Sequence, residues 1–261
     1  MTDLHTTVWD ETGGEGAPAV FVHNIFTWGS DEAYGFAAQR PLAAHHRLLL
    51  VDRRGYGHSP GTDRSDFDTD ADDLVDLLAR QDGGAHLVGH GNGGLAAMLA
   101  AGRRPGLVRS LTLIQPAAFS AAAGHPAVDA MLERVRNSPA VPESVMPEQY
   151  LRASTEGLGM TMPAPTPQRL RAVATSMRER PVWEATVPLE PLRSAPWPTL
   201  VICGIWQDAP ELYRTYAGEP LIACAEAVAE AVGARLLRVP GYYPHTQHPA
   251  TVNAALRELW R

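Results

Sequence analysis

Residues 87–101, LVGHGNGGLAAMLAA, run from an apolar stretch through a glycine-rich turn into an alanine-rich stretch with helical character. A strand–turn–helix with G-x-S-x-G at its turn presents a serine hydroxyl on a strained backbone, ready to attack a carbonyl carbon. Here the turn reads Gly89-His90-Gly91-Asn92-Gly93, and residue 91 has no side chain. That chemistry also needs an imidazole to take the proton and a carboxylate to orient the imidazole. Groups of these types elsewhere in the chain include His23, His245 and His248, Asp208 with Glu211 beside it, and the phenol of Tyr242. A phenol with a pKa of about 10 is a weak base at neutral pH, although it can donate a hydrogen bond or act as an acid.

The elements that must position these groups are read from the apolar pattern. Continuous apolar runs at 17–23, 46–52, 85–90, 110–115, 198–204 and 234–241 have the pattern of parallel strands covered on both faces. Helical patterns at 68–81, 93–104, 220–233 and 251–260 lie between them, which predicts a parallel α/β sheet. From 119 to 196 the rhythm breaks. This segment holds Met131, Met146, Met160, Met162 and Met177, many prolines, and helical patterns at 126–138, 147–155 and 166–180. Such an insertion predicts a cap over the carboxyl edge of the sheet, where open α/β sheets bind ligands. The expected division is a core of residues 1–118 and 197–261 with a helical cap, or lid, of residues 119–196.

Composition narrows the partners. The chain has 261 residues, 45% of them hydrophobic and 20% charged, with a formal charge of −7 and no lysine. The lack of a basic stretch argues against nucleic acid and against an anionic membrane surface. MTDLHTTVWDETGGEG lacks the charged and apolar regions of a secretion signal, and no apolar run reaches the roughly 18 residues of a membrane helix. Cys203 and Cys224 form neither a metal set nor a disulfide framework and read as free thiols in a reducing cytoplasm. The acidic run DRSDFDTDADD (63–73) lacks the glycine and final glutamate of a calcium loop and reads as a loop leading into a helix. The expectation is a cytoplasmic protein with no cofactor and no metal. Its partner is a small-molecule substrate or ligand, with no nucleic acid and no membrane, and a homodimer is left open.

Five segments, in order, resemble the α/β-hydrolase superfamily over nearly the whole chain. FVHNIFTWG (21–29) resembles its H-G-x-x loop, VDRRGYGHSP (51–60) its D-x-R-G-x-G-x-S segment, and LVGHGNGG its nucleophile elbow. PTLVICG followed by Asp208 resembles the strand that carries the acid, and VPGYYPHTQHP (239–249) the loop that carries the histidine. The resemblance implies a mostly parallel twisted sheet flanked by helices, with a helical cap insertion. It also implies a degenerate triad, with Gly91 at the nucleophile position and Tyr242 at the histidine position. Gln115 stands where some members carry the acid, and Asp208 falls one residue later than the usual spacing. His245 is the alternative to Tyr242, and which of the two faces the pocket stays open. The backbone N–H groups of Ile25 and Asn92 match the oxyanion donors, and Asn24 replaces the glycine of H-G. Asn24, Trp28, His90 and Gln115 are the pocket-lining candidates, although His90 reads first as a residue packed against neighbouring strands. His23, Arg53 and Arg54 read as structural.

The function this implies is a non-hydrolytic lyase, isomerase or cyclase acting on a small apolar carbonyl-containing metabolite of specialised metabolism. It would use the oxyanion donors and Tyr242, helped by Asp208 or His245. Two alternatives are a small-molecule-binding pseudo-hydrolase without activity and a residual hydrolase in which Asp208 and a histidine activate water.

Overall fold

The pleat sorts each apolar run onto two faces. In β2 (Ala19–Val22), Val20 and Val22 join one core while Ala19 and Phe21 join the other, and β3 (Leu48–Val51) divides in the same way. With β4 (Ala85–His90), β5 (Val108–Ile114), β6 (Thr199–Gly204) and β7 (Arg235–Val239) these strands pair in parallel. The strand β1 (Thr6–Trp9) adds an antiparallel edge, giving the order β1-β3-β2-β4-β5-β6-β7. This computed structural model describes residues 4–11, 13, 16–139 and 141–261. The amino-terminal reading above rests partly on residues 1–3, 12, 14 and 15, which lie outside that set.

Helices α1 (Phe67–Ala79) and α2 (Asn92–Arg103) cover one face of the sheet. The acidic run enters α1 through a cap, in which Asp66 accepts from the Asp68 N–H at 2.8 Å. Between β5 and β6 lie α3 (Pro126–Asn137), α4 (Pro147–Thr155), α5 (Pro167–Ser176) and the short α6 (Leu189–Arg193). The first three each begin on a proline, whose missing N–H is no loss in a first helical turn. The short α7 (Glu211–Tyr213) precedes α8 (Glu219–Val232), which completes the first face, and α9 (Pro244–Gln247) leads into α10 (Pro249–Leu259) on the second. The result is a mostly parallel twisted sheet flanked by helices, with a helical insertion. Cys203 and Cys224 are buried in the first core, and burial pushes both thiols up to about 12. Among the described residues no helix is long and apolar enough to cross a membrane.

The described residues outside glycine with left-handed φ are Phe26, Gln115 and Trp206 at 60°, 46° and 58°. Each follows the carboxyl end of a strand, β2, β5 and β6 respectively. Backbone strain of this kind gathers where a fold builds its sites.

Candidate functional site

β4 ends on His90 and α2 begins on Asn92, leaving Gly91 at the turn with φ 55° and ψ −119°. An L side chain rarely adopts that backbone, so the elbow is drawn tight at a residue free of the strain. Two positions on, a Cβ at Gly93 would stand closer than 3.0 Å to backbone atoms of Val22 and His23. The space above Gly91 is filled. A Cβ there would come within 3.0 Å of Cγ, Oδ1 and Nδ2 of Asn24. The Asn24 carboxamide thus lies where an elbow side chain would stand, and its Oδ1 accepts from the Asn92 N–H at 3.0 Å.

This corrects the expected oxyanion pair. The Asn92 N–H is taken by Asn24, whereas the Ile25 N–H and the Asn24 Nδ2 have no partner among the described residues. Gly91→Ser is therefore expected to destabilise the chain by about 1–3 kcal/mol through overpacking and backbone strain. The double variant Asn24→Gly, Gly91→Ser recovers part of that loss, read from the urea midpoint of each variant.

A cavity of about 520 Å³ lies between this elbow and the cap. Of the expected site residues, Asn24, Ile25, His90, Gly91 and Asn92 line it, and Trp28, Gln115, Asp208, Tyr242 and His245 do not. Trp28 instead lies under the Arg169 guanidinium, 4.8 Å from its ring centre. Gln115 is a staple: its Oε1 accepts from the Gly204 N–H and the Trp206 indole, both at 3.0 Å, and its Nε2 donates to the Tyr242 carbonyl. Asp208 is exposed and accepts from its neighbour Gln207. The Tyr242 ring packs against Trp206 and Tyr213 outside the cavity, and Tyr243 lines the cavity in its place. The Tyr243 hydroxyl pairs with that of Tyr213 at 2.7 Å. Burial raises both phenols, Tyr213 to about 12, so both stay protonated and serve only as hydrogen-bonding groups.

The polar centre of the site is one that sequence reasoning missed. Glu179, just past α5, lines the cavity from the cap side. It accepts from Arg53 at 2.7 Å, from the Tyr56 hydroxyl at 2.6 Å and from Asn92 Nδ2 at 3.2 Å. Arg53 also holds Asp70 at 2.7 Å, so two carboxylates share one buried guanidinium. Arg53 sits in the turn after β3 and Asn92 follows the elbow, so this network ties cap to core at the cavity wall. The only sequence signal for it is Arg53 itself, a buried cation that requires a carboxylate partner.

His23 accepts the Arg53 N–H on Nε2 at 3.0 Å, which leaves Nδ1 to donate to the Asn24 carbonyl at 2.6 Å. The rings of His90 and His245 lie 4.4 Å apart, and neither Nδ1 has a partner. Burial holds His23 and His90 well below the usual imidazole range, and His86 and His245 at about 4. The unfolded chain therefore binds protons from about pH 6.5 downward that the folded chain refuses, at His86 and His245 until about pH 4. Stability is present above that window and is lost as pH falls through it, by up to about 1.4 kcal/mol per pH unit for each histidine. Urea unfolding followed from pH 7.5 to pH 4.5 checks this, and a flat midpoint contradicts it.

The elbow alone predicts a chain without serine–histidine chemistry, a degenerate triad. The structure corrects this. His86 on β4 and Ser110 on β5 are register partners, and Nδ1 of the first meets Oγ of the second at 2.8 Å. The imidazole also stacks on Trp260, 5.1 Å between ring centres. The pair lies near the amino ends of its strands, whereas Gly91 follows the carboxyl end of β4.

The profile of the Alpha/beta hydrolase family matches residues 19–255. The chain belongs to that family. A pimeloyl-[acyl-carrier protein] methyl ester esterase of Aliivibrio fischeri (strain MJ11) is 34% identical over 122 residues, which is 46% of this chain and 45% of that protein. The dihydrolipoyllysine-residue acetyltransferase component of an acetoin cleaving system from Pseudomonas putida is 37% identical over 117 residues, 44% of this chain and 31% of that one. Both matches span less than half of the relative's own length. A solved hydrolase of Pseudomonas aeruginosa superposes with a TM-score of 0.68 at 22% identity, covering 99% of this chain and 94% of that one. This last likeness is one of fold.

Proposed function

We propose that this member of the α/β-hydrolase family is an ester hydrolase that binds its substrate carbonyl at the cavity floor. The expectations of a lyase, isomerase or cyclase, and of a pseudo-hydrolase without activity, give way to it. The curated relatives include methyl ester esterases, and the chain holds a serine–histidine pair. The observation that carries the reading is the pair of unpartnered donors, Asn24 Nδ2 and the Ile25 N–H, facing a capped cavity beside a neutral imidazole.

Such donors stabilise the negative charge that develops on a carbonyl oxygen under attack. In a water-activating route, His90 takes a proton from water as the hydroxyl adds to the carbonyl carbon. The tetrahedral oxyanion rests on Asn24 and Ile25, and its collapse expels the alcohol, which recovers the proton from His90. Because burial depresses His90, the acid limb of kcat/KM falls below pH 6.5. Asp208 is exposed and does not line the cavity; Glu179 is the carboxylate at the cavity wall.

The test is turnover of a short-chain nitrophenyl ester by the full chain beside His90→Gln and Ser110→Ala. Turnover above the buffer blank that falls in one of the two variants supports hydrolysis. A large loss in His90→Gln assigns the attack to cavity water, and a large loss confined to Ser110→Ala, whose buried side chain does not line the cavity, overturns the placement of the carbonyl at the cavity floor. Absence of turnover across a panel of simple esters overturns the reading.

A further inference from the structure

The cavity has a floor built on the elbow and a roof rich in rings and thioethers. On the cap side its wall carries Phe119, Met131, Tyr150, Met160, Met177 and Trp183, interspersed with hydroxyls such as those of Ser154 and Ser176, and the Tyr150 ring lies edge-on to Phe26 at 6.1 Å between centres. Aromatic faces and edges attract other rings in offset or edge-on contact, and thioethers adapt to a ring's outline. No charge is left over to hold an ionised ligand. The two charged side chains on the wall, Glu179 and Arg180, are both paired. Glu179 is held by Arg53 and Tyr56, and Arg180 binds Asp68 and Glu184, each at 3.1 Å, while lying over the Phe67 ring. The phenols of Tyr213 and Tyr243 hydrogen-bond each other.

We infer that the substrate is an uncharged ester bearing a planar aromatic group, with its carbonyl at Asn24 and its ring beneath the cap. The ester half of this statement rests on the hydrolytic reading above; the aromatic half rests on the cap wall alone. A straight alkyl chain gains the apolar contacts but not the ring contacts. A carboxylate or phosphate meets no free cation and loses its hydration.

The experiment is calorimetric titration of the full chain with three unreactive probes: 2-acetylnaphthalene, a straight-chain methyl ketone of the same carbon count, and 2-naphthoate. The aryl ketone is expected to bind about tenfold tighter than the alkyl ketone, the range of aromatic pair contributions beyond burial. The anion is expected to bind more weakly than the aryl ketone. Trp183→Ala changes a side chain that is 38% exposed at the rim, so the fold tolerates it, and it is expected to narrow the aryl preference. Equal affinities for the two ketones, or tighter binding of the anion, overturn the inference. The two readings fail separately. The aryl preference without turnover of any ester removes hydrolysis and keeps the aromatic assignment. Equal kcat/KM for alkyl and aryl esters, with equal ketone affinities, keeps hydrolysis and removes the aromatic assignment.

Discussion

Asn24→Asp is expected to lower kcat/KM for an ester substrate by about 100- to 1000-fold, the cost of removing one oxyanion donor, with little change in unfolding temperature. The substitution is nearly isosteric. A carboxylate oxygen still accepts the Asn92 N–H, as Oδ1 does now at 3.0 Å. What changes is the other atom: on the proposed reading Nδ2 is the donor to the substrate carbonyl, whereas an Asp oxygen there repels the negative charge developing on the substrate. Asn24→Ala is the instructive companion. It removes the amide donor but releases the Asn92 N–H, so its loss is smaller than that of Asn24→Asp. If both variants keep the activity of the parent chain, the carbonyl does not bind at residue 24.

The largest stability effect is expected from Arg53→Met. Arg53, Asp70 and Glu179 are all nearly sealed from solvent, with side-chain exposures of 2%, 3% and 5%. Removing the shared cation leaves two carboxylates buried without it, and breaking a buried pair in this way costs about 3–5 kcal/mol. Burial already holds the Asp70 carboxyl up at about 6, against the pull of Arg53, which shows how near to neutrality that group lies. Urea unfolding at pH 7.5 measures the loss. Adding Asp70→Asn to Arg53→Met should return part of it by removing one stranded charge. A loss below about 1 kcal/mol in Arg53→Met places the network among contacts of surface strength.

What the chain discloses in one dimension follows the range of the interactions involved. Six strands are legible: β2 to β6 are covered on both faces and so largely apolar, and β7, although half exposed at the far edge, still carries Leu236, Leu237 and Val239. β1 is not legible, since Thr6–Trp9 is four residues long and only half covered at the sheet edge. In the site, Asn24, Ile25, His90, Gly91 and Asn92 are found through motif spacing, because the loop after β2 and the turn after β4 are local structures. The histidine-loop reading misses by one residue: Tyr242 is expected in the cavity and Tyr243 lines it. A loop has no period of two or of 3.6 residues to say which side faces in. Glu179 stands 126 positions from Arg53, and nothing near either residue announces the partner. Ser110 and His86 meet only because β4 and β5 pair in one register, and neither strand's composition specifies that register.

The way Asn24 fills the space above Gly91 also constrains the order in which the two positions can change. A serine arriving at 91 while Asn24 is present meets a filled volume and a left-handed backbone at once, and the chain carries both costs with nothing in return. A glycine arriving first at 24 empties the volume and frees the Asn92 N–H, after which serine at 91 faces the backbone strain alone. Of the two single-step routes between these states, the one that starts at residue 91 meets the filled volume, and the one that starts at residue 24 avoids it by first giving up the Asn24 donor. Whether residue 24 can give up its carboxamide therefore decides whether a hydroxyl at the elbow is ever within reach of selection.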